Sequence, residues 1–354
     1  MYNRNQKNVT EQSGVALIVV LMMVAIISSV AVQISSRTQF AMARSMNQTA
    51  YDQSYWYALS AERQIVNLLL MELKRSEVVH LGQVWAEGRN EPIPLPMYSA
   101  EGITVSVQLS DLQSFFNVNV FAKKAQGSTS GTSTPQSNSS LDKKSDFDKI
   151  YAHLLMALGL DQTDAERLRD LLADFIDADG QMRDAGAESE NYAAKPVPYK
   201  ARNGLLSEIS ELRSVIGYNQ RVFQGVKPFV YALPTADSKI NVNTIDKMHA
   251  PLLRAILAKD LLDDVGLSDV LNLIEKRPEK GWQKVDDFIK DMKDKLDTTT
   301  VRDDASLKKI VDVKSEYFLL RIQVLTYERS FILNSLLHYK NKKSIDVLRR
   351  QFGG

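Results

Sequence analysis

The fold is decided by an uncharged apolar stretch near the N-terminus, VALIVVLMMVAIISSVAV, which occupies residues 15–32. As an α-helix, about 18 residues reach about 27 Å, close to the ~30 Å hydrocarbon core of a bilayer. The sequence therefore predicts one membrane-spanning helix. The polar segment before it carries Arg4 and Lys7, and only Glu11 opposes them. The positive-inside rule then keeps this segment in the cytoplasm and places the rest of the chain across the membrane.

Three interpretations of this N-terminus compete. A secretory signal peptide would have a shorter apolar region and a small-x-small cleavage site, which Ala31-Val32-Gln33 matches poorly. A plain membrane anchor requires only the span. The third rests on Gly14, which lies between the polar leader and the apolar helix. This arrangement resembles the class III leader of type IV pilins and type II secretion pseudopilins. The resemblance implies that a prepilin peptidase cuts after Gly14 and methylates the amine of Val15.

The composition is that of an ordinary globular protein attached to a span. The chain has 354 residues, 44% hydrophobic and 25% charged, which leaves room for two domains. Its net charge of +1 predicts no general attraction to nucleic acids or acidic substrates. The lack of cysteine excludes disulfides and thiolate metal sites, and it is compatible with the bacterial envelope.

The helix does not end with the span, because residues 33–77 contain neither glycine nor proline. Apolar side chains recur at helical spacing along this half, namely Tyr51, Tyr55, Leu59, Val66, Leu70 and Leu73. The stripe predicts an amphipathic continuation packed on a globular domain. Trp56 and Tyr57 leave aromatic rings on other faces, which predicts a partner interface. That predicted interface comprises Tyr51, Tyr55, Tyr57 and Leu59. The alternative is that the domain's own sheet buries them all.

Strand and helix patterns alternate along the rest of the chain. Period-two patterns typical of strands occupy residues 102–109, 316–325, 329–339 and 344–348. Residues 146–310 instead carry apolar stripes at helical spacing. The segment GSTSGTSTPQSNSS at residues 127–140 has the composition of a flexible linker. Strands on both sides of a helical block predict one sheet interrupted by an insertion.

The predicted fold class is α+β, with a long N-terminal helix packed on an antiparallel sheet as in type IV pilins and a large inserted all-α domain. The predicted division is a leader at 1–14, a transmembrane helix at 15–34, a discontinuous pilin-like α/β domain at 35–125 and 311–354, a Ser/Thr-rich linker at 126–145 and the helical insertion at 146–310. Within it, the tetrapeptide at residues 116–119 (FNVN) is echoed at residues 240–243 (INVN). Asparagines so placed predict a repeated device in which a strand ends at a helix N-cap.

Eight short motifs follow one another along the chain. They are Asp111-Leu112-Gln113 with residues 116–119 (FNVN); residues 155–160 (LMALGL); residues 175–179 (FIDAD); Gly186-Ala187-Glu188 with Tyr192; Pro198-Tyr199 with Asn203; residues 211–217 (ELRSVIG); residues 240–244 (INVNT); and Glu316-Tyr317-Phe318. Together with the leader, they resemble the minor pseudopilin K family of the type II secretion system over essentially the whole chain.

This resemblance implies a subunit in the bacterial inner membrane with a cytoplasmic N-terminus and a periplasmic C-terminal domain. It further implies assembly with the minor pseudopilins I and J at the tip of the periplasmic pseudopilus, which supports export of folded proteins across the outer membrane. Most pilins have a glutamate five residues into the mature chain, where this chain has Val19. Since that glutamate pairs with the amine of a neighbouring subunit, its absence predicts a position at the very tip.

Rival interpretations rest on weaker signals. A type IV pilus minor pilin would share the leader and the helix. Residues 240–244, followed by helices and Arg277, resemble helix-hairpin-helix DNA-binding modules of uptake proteins. Those modules bind phosphate through a Gly-x-Gly hairpin, but this chain has Asp263 and Asp264 there, so we expect no nucleic-acid binding. The four histidines are scattered without HExxH spacing, and no GxGxxG or Walker motif occurs, so we expect no enzyme activity.

The candidate metal site is an acidic segment that contains Asp177, Asp179, Asp184, Glu188 and Glu190, opposed only by Arg183. Such crowding is unfavourable unless the carboxylates are solvated or share a cation. Because the segment lacks His and Cys, calcium is the expected cation. It is not an EF-hand, since Gly180 is at the fourth loop position instead of the sixth. The alternative is a solvated acidic loop.

The resemblance adds that the family binds calcium in its helical domain. Its Asp-x-Asp and Gly-Ala-Glu motifs match Asp177, Asp179 and Glu188. Ser189 stands where the family usually has aspartate, and Glu190 is the expected substitute ligand.

Overall fold

A computed structural model describes residues 12–96, 102–123, 145–262, 265–326 and 329–353. Most of the predicted leader and nearly all of the predicted linker lie outside these residues. Helix α1 (Gln12–Arg75) is continuous over 64 residues, which confirms that the apolar helix extends into an amphipathic one. It ends with Lys74 and Arg75 in its last turn, where cations interact favourably with the helix dipole.

Eight further helices follow in the described residues: α2 (Asp146–Ala157), α3 (Gln162–Ile176), α4 (Ser189–Ala193), α5 (Gln220–Val226), α6 (Ala250–Leu257), α7 (Leu267–Glu275), α8 (Val285–Lys293) and α9 (Asp304–Ile310). The strands are β1 (Ile93–Pro94), β2 (Ile103–Asp111), β3 (Phe116–Asn117), β4 (Val230–Tyr231), β5 (Ile240–Asn241), β6 (Val311–Asp312), β7 (Tyr317–Thr326), β8 (Arg329–Lys340) and β9 (Ser344–Gly353). Short 3-10 helices connect several of them.

The main sheet is antiparallel and has the strand order β1-β2-β7-β8-β9. Strand β2 pairs with β7 along its whole length, from Ile103 opposite Thr326 to Asp111 opposite Phe318. The helical residues between them are therefore an insertion into one sheet, as predicted. Strand β9 runs to Gly353, five residues beyond the predicted end at 348. The prediction stopped early because polar side chains interrupt the apolar pattern of this edge strand.

The second half of α1 packs on this sheet through most of the predicted stripe, together with smaller side chains that the prediction left out. Its most buried side chains are the small Ser54, Ala58 and Ala61, followed by Leu69 and Leu73. Of the predicted stripe, Leu73 is buried and Tyr51 is 50% exposed. The other four residues, Tyr55, Leu59, Val66 and Leu70, are partly buried against the core. Small residues let the helix lie close to the sheet, so the large aromatic side chains are displaced to the edges of the contact.

An ion pair that the sequence did not reveal lies inside this contact. Glu62 is 3% exposed beneath the sheet. Its carboxylate accepts a hydrogen bond from the Ser335 hydroxyl, and Arg350 donates from Nε at 2.9 Å and pairs through Nη2 at 2.8 Å. Since a buried carboxylate is costly without such partners, this network fixes β8 and β9 on α1.

The inserted region contains two parallel strand pairs, β3 with β4 and β5 with β6. Asn119, after β3, exchanges hydrogen bonds with the backbone of Leu206 at 2.9 and 2.8 Å. Asn243, after β5, does the same with Trp282 at 3.0 and 2.8 Å. The asparagine echo is therefore a repeated device for tying a distant loop to a strand end.

The predicted capping role of these segments is only half correct. Asn117 caps a 3-10 helix at Val118–Ala122 and accepts a hydrogen bond from the Asn119 amide. Asn241 likewise accepts from the Asn243 amide, but α6 begins only at Ala250, so this asparagine caps a turn. The predicted helix N-cap at residues 240–243 is wrong, because Thr244 and the turn after it redirect the chain before a helix can start.

The insertion is fastened to the sheet at Asp111, the last residue of β2. Its buried carboxylate accepts hydrogen bonds from the hydroxyls of Ser315 at 2.6 Å and Thr244 at 2.5 Å, and from the Asn241 side chain at 3.3 Å. Burial raises the pKa of Asp111 to about 6, while these hydrogen bonds act in the opposite direction. The chain leaves the sheet after Asp111 and returns to it after Ser315. The Asp111 carboxylate therefore links both of these points to residues 240–244 of the insertion.

Candidate functional site

Three of the five predicted carboxylates converge at the end of α3. Asp177 ends this helix, Asp179 follows in the loop, and Glu188 comes directly before α4. One carboxylate oxygen of each lies within 4.8 Å of the others. The chain reaches this geometry because the intervening loop turns back on α3.

Two carboxylate oxygens of the cluster are buried and, in the part of the chain that the structure describes, have no hydrogen-bond donor. Within the described residues, Oδ1 of Asp177 and Oε1 of Glu188 are buried and accept no hydrogen bond. Asp174, one turn earlier on α3, also has a buried Oδ1 that accepts no hydrogen bond, but Nε of Arg183 lies 3.5 Å from it. Buried oxygens of this kind carry a desolvation cost unless a cation or a proton compensates it.

The pKa shifts have the same physical origin. Burial, followed by the charges of Asp179 and Asp174, raises the pKa of Asp177 to about 7. Burial raises the pKa of Asp174 to about 6. The pKa of Glu188 is also raised, first by burial and then by Asp179. In the absence of a cation, the cluster therefore holds protons more tightly than ordinary carboxyl groups do.

The residues present fit a hard divalent cation. All three groups of the cluster supply oxygen, and it includes no imidazole or thiolate. The nearby cation Arg183 is directed elsewhere, since it pairs with Asp148 at 2.6 Å and with Asp174 at 3.5 Å. The arrangement is an acidic site that can hold a metal ion.

The remaining predicted ligands lie outside this cluster. Asp184 is exposed in a turn, and Glu190 is exposed on the short helix α4. Asp174 was not predicted, because an aspartate inside an amphipathic helix looks like part of its solvated face. Its proximity to the cluster follows only from the path of the loop.

The Gly-Ala-Glu motif has a steric explanation. A Cβ atom on Gly186 would overlap the carboxylate of Asp174, so only glycine fits against α3 at this point. Tyr192 then anchors the loop from the other side, fully buried between the rings of Phe175 at 5.2 Å and Tyr199 at 5.3 Å. Both contacts hold Glu188 at the end of α3.

Of the predicted interface residues, Tyr51 and Tyr55 contact aromatic rings of the sheet. Tyr51 meets Phe331 edge-on at 5.3 Å, and Tyr55 lies 5.5 Å from Phe352. Tyr57 and Leu59 are partly buried against the sheet core. Trp56 was placed on another face and is 64% exposed. An open groove of about 460 Å³, lined in part by Tyr51, runs beside these rings.

The first half of α1 has no core to pack on. Every side chain from residue 15 to 34 is exposed, including Ile18 at 66% and Ile27 at 67%. In the described residues, this is the single helix long and apolar enough to cross a membrane. A helix that is apolar on all faces requires a nonpolar environment, which is consistent with one membrane span.

The residues that suggested a DNA-binding hairpin have internal contacts. Arg277 donates from Nη1 to the carbonyl oxygens of Ile245 at 2.7 Å and Val242 at 3.3 Å. Gly281 adopts a φ of 67° and lies against the side chain of Asn243. Asp263 and Asp264 lie outside the described residues.

Comparisons with known proteins agree on one family. Two models described as type II secretion system protein K match residues 114–235 and 240–312. Type II secretion system protein K of Pectobacterium carotovorum subsp. carotovorum is 31% identical, and the alignment covers 98% of each chain. The Aeromonas hydrophila protein is also 31% identical, over 97% of this chain and 98% of its own.

A solved structure matches as well. It is the crystal structure of the GspK-GspI-GspJ complex from the type 2 secretion system of enterotoxigenic Escherichia coli. One of its chains superposes with a TM-score of 0.70 at 30% identity, covering 88% of this chain and 99% of that chain. The chain described here therefore belongs to the type II secretion system protein K family.

Proposed function

We propose that the chain is a minor pseudopilin that joins proteins I and J of its own secretion system in the tip complex of the periplasmic pseudopilus. There it supports the export of folded proteins across the outer membrane. The observation that carries this proposal is the continuous helix α1, whose first half is exposed and apolar and whose second half packs on a pilin-type sheet. Membership of the family indicates a structural subunit and not an enzyme.

The membrane half of α1 sets the location. We infer a single pass through the bacterial inner membrane, with residues 1–14 cytoplasmic and the globular part in the periplasm, because Arg4 and Lys7 precede the span. Prepilin peptidase then cleaves after Gly14 and methylates Val15. Val19 leaves the mature helix without the carboxylate that would pair with a subunit ahead, which supports the tip position.

Partner contact is assigned to the second half of α1 and the sheet, through Tyr51, Tyr55, Tyr57 and Leu59. The aromatic rings beside an open groove support this surface, and Trp56 extends it. The helical insertion stays free of I and J.

Co-purification of the full chain with proteins I and J tests this assignment. Tyr57→Ala or Trp56→Ala should lower the yield of the complex. Met182→Ala, which removes an exposed apolar side chain from the insertion, is the matched control and should leave the yield unchanged. The assignment is wrong if the control weakens the complex and the two aromatic variants do not.

We further propose that the acidic site binds calcium through Asp177, Asp179 and Glu188. The enclosed oxygens without donors support this proposal, as does the lack of softer ligands in the cluster. Asp184 and Glu190 remain candidates for the outer coordination sphere. The ion would hold the loop between α3 and α4 in place, and it would neutralise the carboxylates that burial brings together. An affinity of roughly 0.1 to 1 mM, typical of extracellular modules, would suffice outside the cytoplasm.

A further inference from the structure

A second charged site lies at the junction between the insertion and the sheet domain. A cleft of about 280 Å³ has Leu81, Met248 and Ile274 among its apolar walls, and the basic side chains of Arg89 and Arg277 line it too. A neighbouring cleft of about 290 Å³ shares Leu81, Arg89 and Met248 and extends to Phe115. The two form an elongated groove in which Arg89 and Asp246 line both clefts. Arg277 and Lys247 lie in the first cleft, and Asp111 lines the second.

Arg89 has no partner in the described part of the chain. Its side chain makes no hydrogen bond and no ion pair there, and its Nε atom is buried. A buried guanidinium N–H without an acceptor carries a desolvation cost that an anion would remove. In contrast, the buried guanidinium of Arg302 donates to two backbone carbonyl oxygens and to Asp146.

Arg277 adds a second positive charge to the same groove. Nη1 of Arg277 is occupied by two backbone carbonyl oxygens. Burial and then the charge of Arg89 lower the pKa of Arg277 to about 10. Asp246 also lines the groove, but its carboxylate accepts hydrogen bonds from Nδ1 of His249 at 2.7 Å and from the His249 amide at 3.1 Å. The charge of Asp246 acts on Arg277 in the opposite direction, so one carboxylate faces two guanidinium groups and a net positive charge remains.

We propose that this groove binds a carboxylate carried by a polypeptide partner, with an apolar side chain beside it. The planar N–H fork of arginine matches the geometry of a carboxylate. The apolar part of the ligand would cover Met248, which is 74% exposed at the rim, and contact Leu81. This site is separate from both the calcium cluster and the aromatic surface on α1.

Arginine-selective ¹⁵N spectra of the full chain in detergent micelles test this site. The Nε–H signal of Arg89 is assigned by its loss in Arg89→Gln. N-acetyl-leucine, which carries a terminal carboxylate beside an apolar side chain, should shift this signal saturably. N-acetyl-leucinamide lacks the carboxylate and should not. N-acetyl-Leu-Asp-amide presents a side-chain carboxylate instead. Comparison of its affinity with that of N-acetyl-leucine shows whether the groove prefers a chain terminus or an acidic side chain.

Two variants separate binding from general charge effects. Arg277→Gln should weaken binding roughly ten- to hundredfold, as expected for loss of one charge-assisted hydrogen bond. Arg89→Gln should weaken binding to a similar extent, and in the described part of the chain it removes no side-chain hydrogen bond or ion pair. Because this variant lacks the Arg89 signal, its binding is followed through the signals of the ligand. Arg167→Gln makes the same charge change at an exposed position of α3 and should leave binding unaltered. The proposal is overturned if neither acid saturates, if the amide binds as well as the acids, or if Arg167→Gln weakens binding as much as Arg89→Gln.

Discussion

Removal of calcium is the perturbation that tests the acidic site most sharply, because its effect should depend on pH. In the ion-free chain, the pKa of Asp177 rises from its ordinary 3.8 to about 7, mainly through burial. The folded state then binds the proton more tightly than the unfolded state. The contribution of Asp177 to stability without calcium is therefore fully present below about pH 4 and is lost as the pH rises through about 7.

The size of the effect follows from the same shift. A change from 3.8 to about 7 corresponds to about 4 kcal/mol of unfolding free energy at neutral pH. This order-of-magnitude figure refers to Asp177 alone, whose pKa is raised first by burial and then by the charges of Asp179 and Asp174. Calcium binds the ionised carboxylates and should restore most of the loss. For a domain of this size, that restoration raises the melting temperature by roughly 5 to 10 °C.

The assay is thermal unfolding of the full chain in detergent micelles, in metal-free buffer and in millimolar CaCl₂, at pH 5 and pH 8. We expect a calcium-induced increase at pH 8 that shrinks at pH 5. Asp179→Asn should abolish the increase. Asp184→Asn removes an equal charge from the same loop but outside the cluster, so it should reduce the increase far less than Asp179→Asn does.

Two results would refute this reasoning. One is a melting temperature that does not respond to calcium at pH 8. The other is an equal response in Asp179→Asn and the parent, because the loop would then be acidic without binding an ion there.

Mass spectrometry of the mature chain should find Val15 as a methylated N-terminus; an intact Met1 or a start near Ser35 would indicate a plain anchor or a secreted protein instead. Val19→Glu should leave secretion largely intact, since a tip subunit has no neighbour ahead to require or reject the carboxylate; a severe defect in a secretion assay would contradict this. Arg350→Met should lower the urea-derived unfolding free energy by about 1 to 3 kcal/mol, because Glu62 would keep a buried charge without its cation. Glu62→Met in the same chain should recover most of that loss, and failure to do so would mean that Arg350 acts by packing.

The long elements of the fold could be predicted from the sequence because their patterns are long. Helix α1 has an apolar run and then no helix breaker, and β7 and β8 alternate over ten and twelve residues. The pairs β3–β4 and β5–β6 could not be predicted, since each strand has two residues. Phe116 meets Val230 across more than a hundred positions, and no local pattern encodes such a pairing.

The candidate site shows the same limit. Asp177, Asp179 and Glu188 were predictable as a group, because their charges crowd one short segment. The sequence could not separate them from Asp184 and Glu190, since only the path of the loop decides which oxygens converge. Asp174 and Glu62 were missed because helical acids normally face solvent, and here a glycine loop and a strand cover them.

The position of this chain in an assembled pseudopilus would test its proposed role as a tip subunit. An epitope on the exposed loop near Val197 of the helical insertion, detected by gold labelling and electron microscopy, would report it. We expect one label at one end of each filament, present only when proteins I and J are also expressed. Labels spread along the filament shaft would contradict the tip position.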